Sequence, residues 1–203
     1  MTPPTAIDAG RTALLVMDYQ PGILGMLPDA DALLDRAAAA IATVRGLGGT
    51  IGYVRVAFED DDIAAMPATS AMRARIAGRG QAMHADSPAT AVHERVAPMD
   101  GDIVVRKTRV GPFSTTDLHD QLADRGIDTL LLAGVSTSGV VLSTVRDAAD
   151  RDYRLVVIAD LCADPDALVH STLLERVFPR QADVIPSAEL GNLLAQRASR
   201  AAR

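Results

Sequence analysis

Tryptophan is absent from the 203-residue chain, cysteine occurs once, and tyrosine and phenylalanine three times each. A single cysteine, Cys162, excludes an internal disulfide framework and agrees with a reducing, cytoplasmic setting. So few aromatic rings offer no platform for stacking bases. Basic residues form no block beyond the terminal Arg197, Arg200 and Arg203, and the net charge is −6, so nucleic acid is not an expected partner. No apolar run approaches the ~20 residues of a membrane span, and the N-terminus is neither basic nor apolar enough for a secretion signal. The four histidines (His84, His93, His119 and His170) are scattered without metal-ligand spacing, so neither metal nor cofactor is expected. No G-x-G-x-x-G occurs. Gly134–Gly139 has the glycine spacing of a phosphate loop but continues Val-Val rather than Lys-Ser/Thr.

The chain does contain short apolar runs alternating with amphipathic stretches, 48% of residues being apolar. Thr12–Asp18 reads as a buried first strand and Thr50–Phe58 as a second. Ile103–Lys107 is a third, and Leu130–Ala133 and Leu155–Ala159 are the cores of a fourth and a fifth. Ala182–Ile185 is a short sixth. Between them, Asp31–Leu47 carries Leu33, Leu34, Ala37, Ile41 and Val44 at helical spacing, ended by Gly48-Gly49. Thr116–Arg125, Asp166–Val177 and the segment from Ser187 onward are further helices. Residues 59–101 are the least regular part, with a short helix expected over Met66–Ile76. This alternation implies parallel strands with right-handed crossovers, a three-layer α/β fold. One domain is expected over 11–195, with tails at 1–10 and 196–203.

In such sheets ligands sit outside the carboxyl ends of the strands. Asp18 and Lys107 each terminate a strand. Asp18 could cap the following turn or serve as a general acid or base. Lys107 could be a solvated lysine or an ion-pair partner that positions Asp18 and steadies an anionic substrate. Between the fourth strand and its helix lies Gly-Val-Ser-Thr-Ser-Gly, Gly134–Gly139, a tight turn whose backbone N–H groups suit an anion or a developing oxyanion. Arg55 and Arg109, near strand ends, are candidate anchors for a substrate carboxylate.

Three segments in order carry a resemblance. Val16-Met17-Asp18-Tyr19-Gln20 ends the first strand, and Lys107 through Phe113 with Thr116-Asp117-Leu118 follows the third. Gly134-Val135-Ser136-Thr137 follows the fourth. Together they resemble the isochorismatase-like, or cysteine hydrolase, family over about residues 12–185. The resemblance implies a three-layer sandwich around a six-stranded parallel sheet of Rossmann-like order, with a cis peptide at Val135–Ser136 aiming backbone N–H groups into the site. It implies Asp18 and Lys107 as catalytic residues, with Gln20, Arg55, Phe113, Thr137 and Gly139 around the substrate. It also implies a homodimer or homotetramer acting on a small molecule. The position of the family's nucleophilic cysteine falls on Val140.

Valine can neither attack nor be deprotonated, so covalent amidase chemistry is not expected. Cys162 follows the fifth strand and is read as a small buried hydrophobe. Ser136, Thr137 and Ser138 have no histidine beside them in the motifs, which argues against a serine triad. Family members resembling true isochorismatases also lack the cysteine and cleave an enol ether, the aspartic acid protonating the vinyl carbon before water adds. Those members carry glycine where this chain has Val140. The expected function is therefore cysteine-free Asp/Lys acid–base hydrolysis of a small carboxylated metabolite, and the alternative is a silent member that binds a metabolite or partner subunit.

Overall fold

A computed structural model describes residues 7–195; the expected tail at 196–203 and the first six residues of the tail at 1–10 lie outside the described residues. Six strands, β1 (Thr12–Met17), β2 (Thr50–Val56), β3 (Ile103–Lys107), β4 (Thr129–Val135), β5 (Arg154–Ala163) and β6 (Asp183–Ile185), form one parallel sheet in the order β3-β2-β1-β4-β5-β6. The helices are α1 (Pro21–Leu24), α2 (Ala30–Gly46), α3 (Asp60–Ala64), α4 (Ala71–Ala77), α5 (Leu118–Asp124), α6 (Leu142–Ala149), α7 (Ala167–Thr172) and α8 (Leu190–Ala195).

Central strands covered on both faces must be apolar at every position, and β1 and β4 are buried along their whole length. Side chains alternate between the faces. Leu14, Val16, Leu131, Ala133, Val156 and Ile158 share one core with Leu33, Leu34, Ile41 and Val44 of α2 and Leu190, Leu193 and Leu194 of α8. Ala13, Leu15, Met17, Leu130, Leu132 and Val157 share the other with Leu118 and Leu122 of α5 and Val145 and Ala148 of α6. Among the described residues, no helix is long and apolar enough to cross a membrane.

The packed chain starts before residue 11. Ile7 is buried and its N–H donates to the Leu193 carbonyl, while Asp8 caps the turn Ala9–Arg11, so residues 7–10 are not a tail. The helix expected over Met66–Ile76 forms only as α4. Pro67 disfavours helical geometry at Met66, and the Ser70 side chain caps a fresh start by accepting from the Arg73 N–H. Ahead of it, Glu59–Asp62 is spent on a capping box that opens α3, Asp62 accepting from the Glu59 N–H at 2.9 Å. The second strand stops at Val56, and Phe58 pairs with His84 instead. A small cluster of Val56, Phe58, Met66 and Ile76 seats this connection over the carboxyl ends of the strands.

Candidate active site

The β1 and β3 termini flank β2, so the sheet order brings Asp18 and Lys107 to the same rim. Asp18 leaves the sheet at φ +59°, a left-handed conformation that aspartate tolerates better than most residues. Its N–H still donates to the Val54 carbonyl at 2.8 Å, which fixes the turn. Lys107 Nζ lies 2.8 Å from Asp18 Oδ2, and both side chains are buried. The ammonium also donates to the Val110 carbonyl at 2.8 Å and to the Arg109 carbonyl at 3.4 Å, so its three protons are directed. Among the described residues no donor reaches the other oxygen, Asp18 Oδ1, although it is buried. Burial raises the Asp18 carboxyl to about 6, against the downward pull of Lys107. A carboxyl with that affinity can give and take a proton near neutral pH.

Above this pair opens a cavity of about 410 Å³ whose walls include Asp18, Lys107, Val135, Ser136, Gly139 and Val140. The Val135–Ser136 peptide bond is cis. Thr137–Val141 follows as one wide helical turn, the Val141 N–H reaching back to the Ser136 carbonyl, and continues into α6. Two glycines make this geometry possible. A Cβ at Gly134 would lie 2.9 Å from Val141 Cγ2 and 3.2 Å from Val140 Cγ1, and one at Gly139 would lie 2.7 Å from Ser136 Oγ. Val140 is buried in the same apolar cluster as Val141 and Met17 and presents only hydrocarbon to the cavity, which stays open beside it.

Of the other residues singled out in the sequence, Arg109 lines the cavity, whereas Gln20, Arg55, Phe113 and Thr137 do not. Gln20 is buried with all its bonds internal: Nε2 donates to the Val56 and Thr90 carbonyls, and Oε1 accepts from the Val56 N–H at 2.8 Å. It ties the start of α1 to the end of β2. Arg55 points its guanidinium at the Ala85 and Thr90 carbonyls, bracing residues 85–90. Phe113 stacks on Tyr153 at 6.2 Å, with the Arg151 guanidinium over its ring, on the α5–α6 side.

Thr137 is fully buried, and its hydroxyl meets His170 Nδ1 at 2.7 Å. A histidine therefore does stand beside this turn, brought there by α7, where sequence proximity gave no sign of it. The pair is no triad: Ser138 bonds Asp164 directly through Oγ and N–H, and Thr137 is not among the residues that line the cavity. His84 pairs with the end of the β2 segment rather than lining the cavity, and His119 bonds the Tyr153 hydroxyl at 2.9 Å. Cys162 lies within β5, paired with Gly134 of β4, rather than after the strand as expected; its buried thiol is 3.7 Å from the Leu132 carbonyl, and burial pushes it up to about 12, so it is inert at physiological pH. Among the described residues, no group of three His, Cys, Asp or Glu side chains converges as a metal site would require.

What the sequence reading missed is the outer half of the cavity. Met72, Arg75, Ile76, Arg79 and Met83 line it from α4 and the turns after it, and Ile23 and Met26 line it from α1 and its C-terminal end. The spacing 72, 75, 76, 79 is one helical face, but with arginine on it this pattern looks the same as a solvated surface.

Comparison with known proteins agrees with the fold. Residues 12–189 match the isochorismatase domain family. The chain is 34% identical over 198 residues to the isochorismatase family protein YecD of Escherichia coli O157:H7, covering 93% of this chain and 98% of that one. It is 27% identical over 180 residues to the maleamate amidohydrolase of Pseudomonas putida, covering 86% and 83%. Among solved structures, an isochorismatase family protein from Burkholderia thailandensis superposes with a TM-score of 0.82 at 25% identity, over 95% of this chain and 99% of that one.

Proposed function

The chain belongs to the isochorismatase family, and from that premise we propose that it hydrolyses a small carboxylated metabolite by acid–base catalysis at Asp18, without a covalent nucleophile. One observation carries the reading: Asp18 is buried at the cavity wall beside Lys107, burial pushes its carboxyl up to about 6, and no donor among the described residues reaches Oδ1. Lys107 holds Oδ2 and turns that free oxygen into the one that exchanges protons.

Enol-ether hydrolysis makes use of these groups. Protonated Asp18 gives its proton to the terminal vinyl carbon, the double-bond electrons forming the new C–H bond and leaving an oxygen-stabilised cation. Water adds to the cationic carbon, and the proton it sheds returns to Asp18. The resulting hemiketal collapses with cleavage of its C–O bond to a ketone and an alcohol. Lys107 balances the aspartate charge between the two proton transfers. Val140 supplies an apolar wall beside the reacting carbon, where an exposed polar group would hold water.

Relatives such as the maleamate amidohydrolase are named for cleaving amides. Amide cleavage through an acyl-enzyme requires a thiolate or an activated hydroxyl. Val140 has neither, and Cys162 is held as an inert thiol outside the cavity lining. Acid catalysis is therefore the reading the residues support best. The test is incubation with isochorismate and a panel of small carboxamides, beside Asp18→Asn. Vinyl-ether cleavage lost in Asp18→Asn is the expected result. Amide cleavage would contradict the nucleophile-free mechanism, and binding without turnover would favour a silent member of the family.

A further inference from the structure

The segment running from α4 into the turn after it brings two exposed guanidinium groups to the cavity, and among the described residues no acid pairs with either. Arg75 shares α4 with Met72 and Ile76, Arg79 follows two residues after the helix ends, and all four line the cavity. Their neighbour Arg73 is used structurally, Nη1 donating to the Met66 carbonyl at 2.7 Å. Arg106 takes up the nearby acids Asp62 and Glu59, at 2.5 and 3.4 Å. Neither Arg75 nor Arg79 forms an ion pair among the described residues, and the polar contact of Arg79 is with Met26 Sδ at 3.7 Å. This is notable in a chain of net charge −6 with 26 acidic residues. Arg109, from the loop after β3, is a third cavity guanidinium that forms no close ion pair among the described residues, its Nη1 donating to the Thr108 carbonyl at 2.7 Å, although Asp62, bonded to Arg106, lies near enough to feel its charge. The floor pair Asp18–Lys107 is neutral overall when both are charged, so it does not offset these cations.

The cavity thus has positive charge at two stations on different elements, Arg109 and the Arg75/Arg79 pair. Apolar side chains line it as well, among them Ile23, Phe58, Met72 and Met83. A substrate with one carboxylate satisfies one station and leaves the other facing its hydrocarbon. We infer that Arg75 and Arg79 are specificity residues that select a dianionic substrate, a dicarboxylate whose two acid groups are separated by an apolar spacer. This rests on the reading of the cavity as the substrate site. Guanidinium groups pair with carboxylates through parallel N–H donors, so the second carboxylate orients the molecule as well as holding it.

Binding tests this apart from catalysis. Adipate and hexanoate share a six-carbon chain and differ by one carboxylate; isothermal titration of each into the full-length protein at pH 8 and low salt gives the discrimination. Adipate is expected to bind at least tenfold tighter. In the double variant Arg75→Gln/Arg79→Gln the ratio is expected to fall to within about twofold, with hexanoate affinity unchanged. Arg180→Gln, an exposed charge outside the cavity lining, is expected to keep the full ratio and so controls for net charge. Equal affinity for the two acids in the wild type, or a preference that survives the double variant, would overturn the inference. Asp18→Asn is expected to retain the adipate preference. If acid catalysis fails while that preference stands, the substrate assignment survives the loss of the mechanism, and the converse holds too.

Discussion

Asp18→Asn removes one buried ionisable group and leaves its shape, so the pH dependence of stability reports on that group. Asp18 has an ordinary value of 3.8 in the unfolded chain and about 6 in the fold. At about 1.4 kcal/mol per pH unit, ionised Asp18 costs the folded state about 3 kcal/mol relative to the protonated form. The folded chain holds this proton more tightly than the unfolded one. The stabilisation is therefore fully present below pH 3.8, declines as pH rises, and is gone above about 6. The assay is urea unfolding of wild type and Asp18→Asn at closely spaced pH values from 4 to 8, with m-values checked for constancy. Titrating groups remote from Asp18 cancel in the difference. Lys107, which loses its counter-ion in Asp18→Asn, does not, so the same pair of curves is also recorded in a Lys107→Met background. The wild-type advantage is expected to shrink by about 2.4 kcal/mol between pH 4 and 7, the rest being already lost at pH 4, and then stay flat. A difference that is flat throughout, or that grows with pH, would refute the reasoning, because it would mean that pairing with Lys107 outweighs burial.

Further outcomes follow from the same contacts. Lys107→Met removes the influence that pulls Asp18 down, so the alkaline limb of turnover, where the Asp18 proton is lost, is expected to move above pH 6 in a pH–rate profile; a shift to lower pH would reverse the assigned electrostatics. Gln20→Ala takes the Gln20 partners from the buried Val56 N–H and carbonyl and leaves the Thr90 carbonyl with Arg55 at 3.3 Å, an expected loss of about 2 kcal/mol or more in chemical denaturation. Cys162→Ala is expected to leave kcat and KM unchanged, and the native wild-type thiol to resist an aromatic disulfide reagent until the protein unfolds. Val140→Ala is expected to cost about 1–2 kcal/mol of stability while turnover stays within a few-fold, since it removes hydrocarbon and no reacting group.

Much of this molecule was legible in the chain because parallel, doubly covered strands need continuous apolar runs. TALLVM and TLLLAGV announce themselves, and the residues that end such strands fall at the rim where ligands bind. Asp18 and Lys107 were found by that rule, and the sheet order then set them 2.8 Å apart. Gln20 and Arg55 misled because a polar residue near a strand end reads the same whether it faces a ligand or a backbone carbonyl. Only the path of residues 85–90 shows that their donors are already used. The Thr137–His170 contact joins residues 33 apart in sequence and had no local signature. Arg75 and Arg79 were invisible for a related reason: whether an arginine-bearing helix face meets solvent or a cavity depends on how residues 59–101 fold back. That path is set by Pro67, the Ser70 cap and the apolar cluster under Phe58.

Delivery of the Asp18 proton to the vinyl carbon is tested directly by isochorismate turnover in D2O, with the keto-acid product analysed by mass spectrometry for wild type and Asp18→Asn. Rapid wild-type turnover with one solvent deuterium on the methyl carbon is expected, and a rate for Asp18→Asn no greater than the reaction without protein. Undiminished turnover by Asp18→Asn, or a wild-type product whose methyl carbon carries no solvent deuterium, would contradict it.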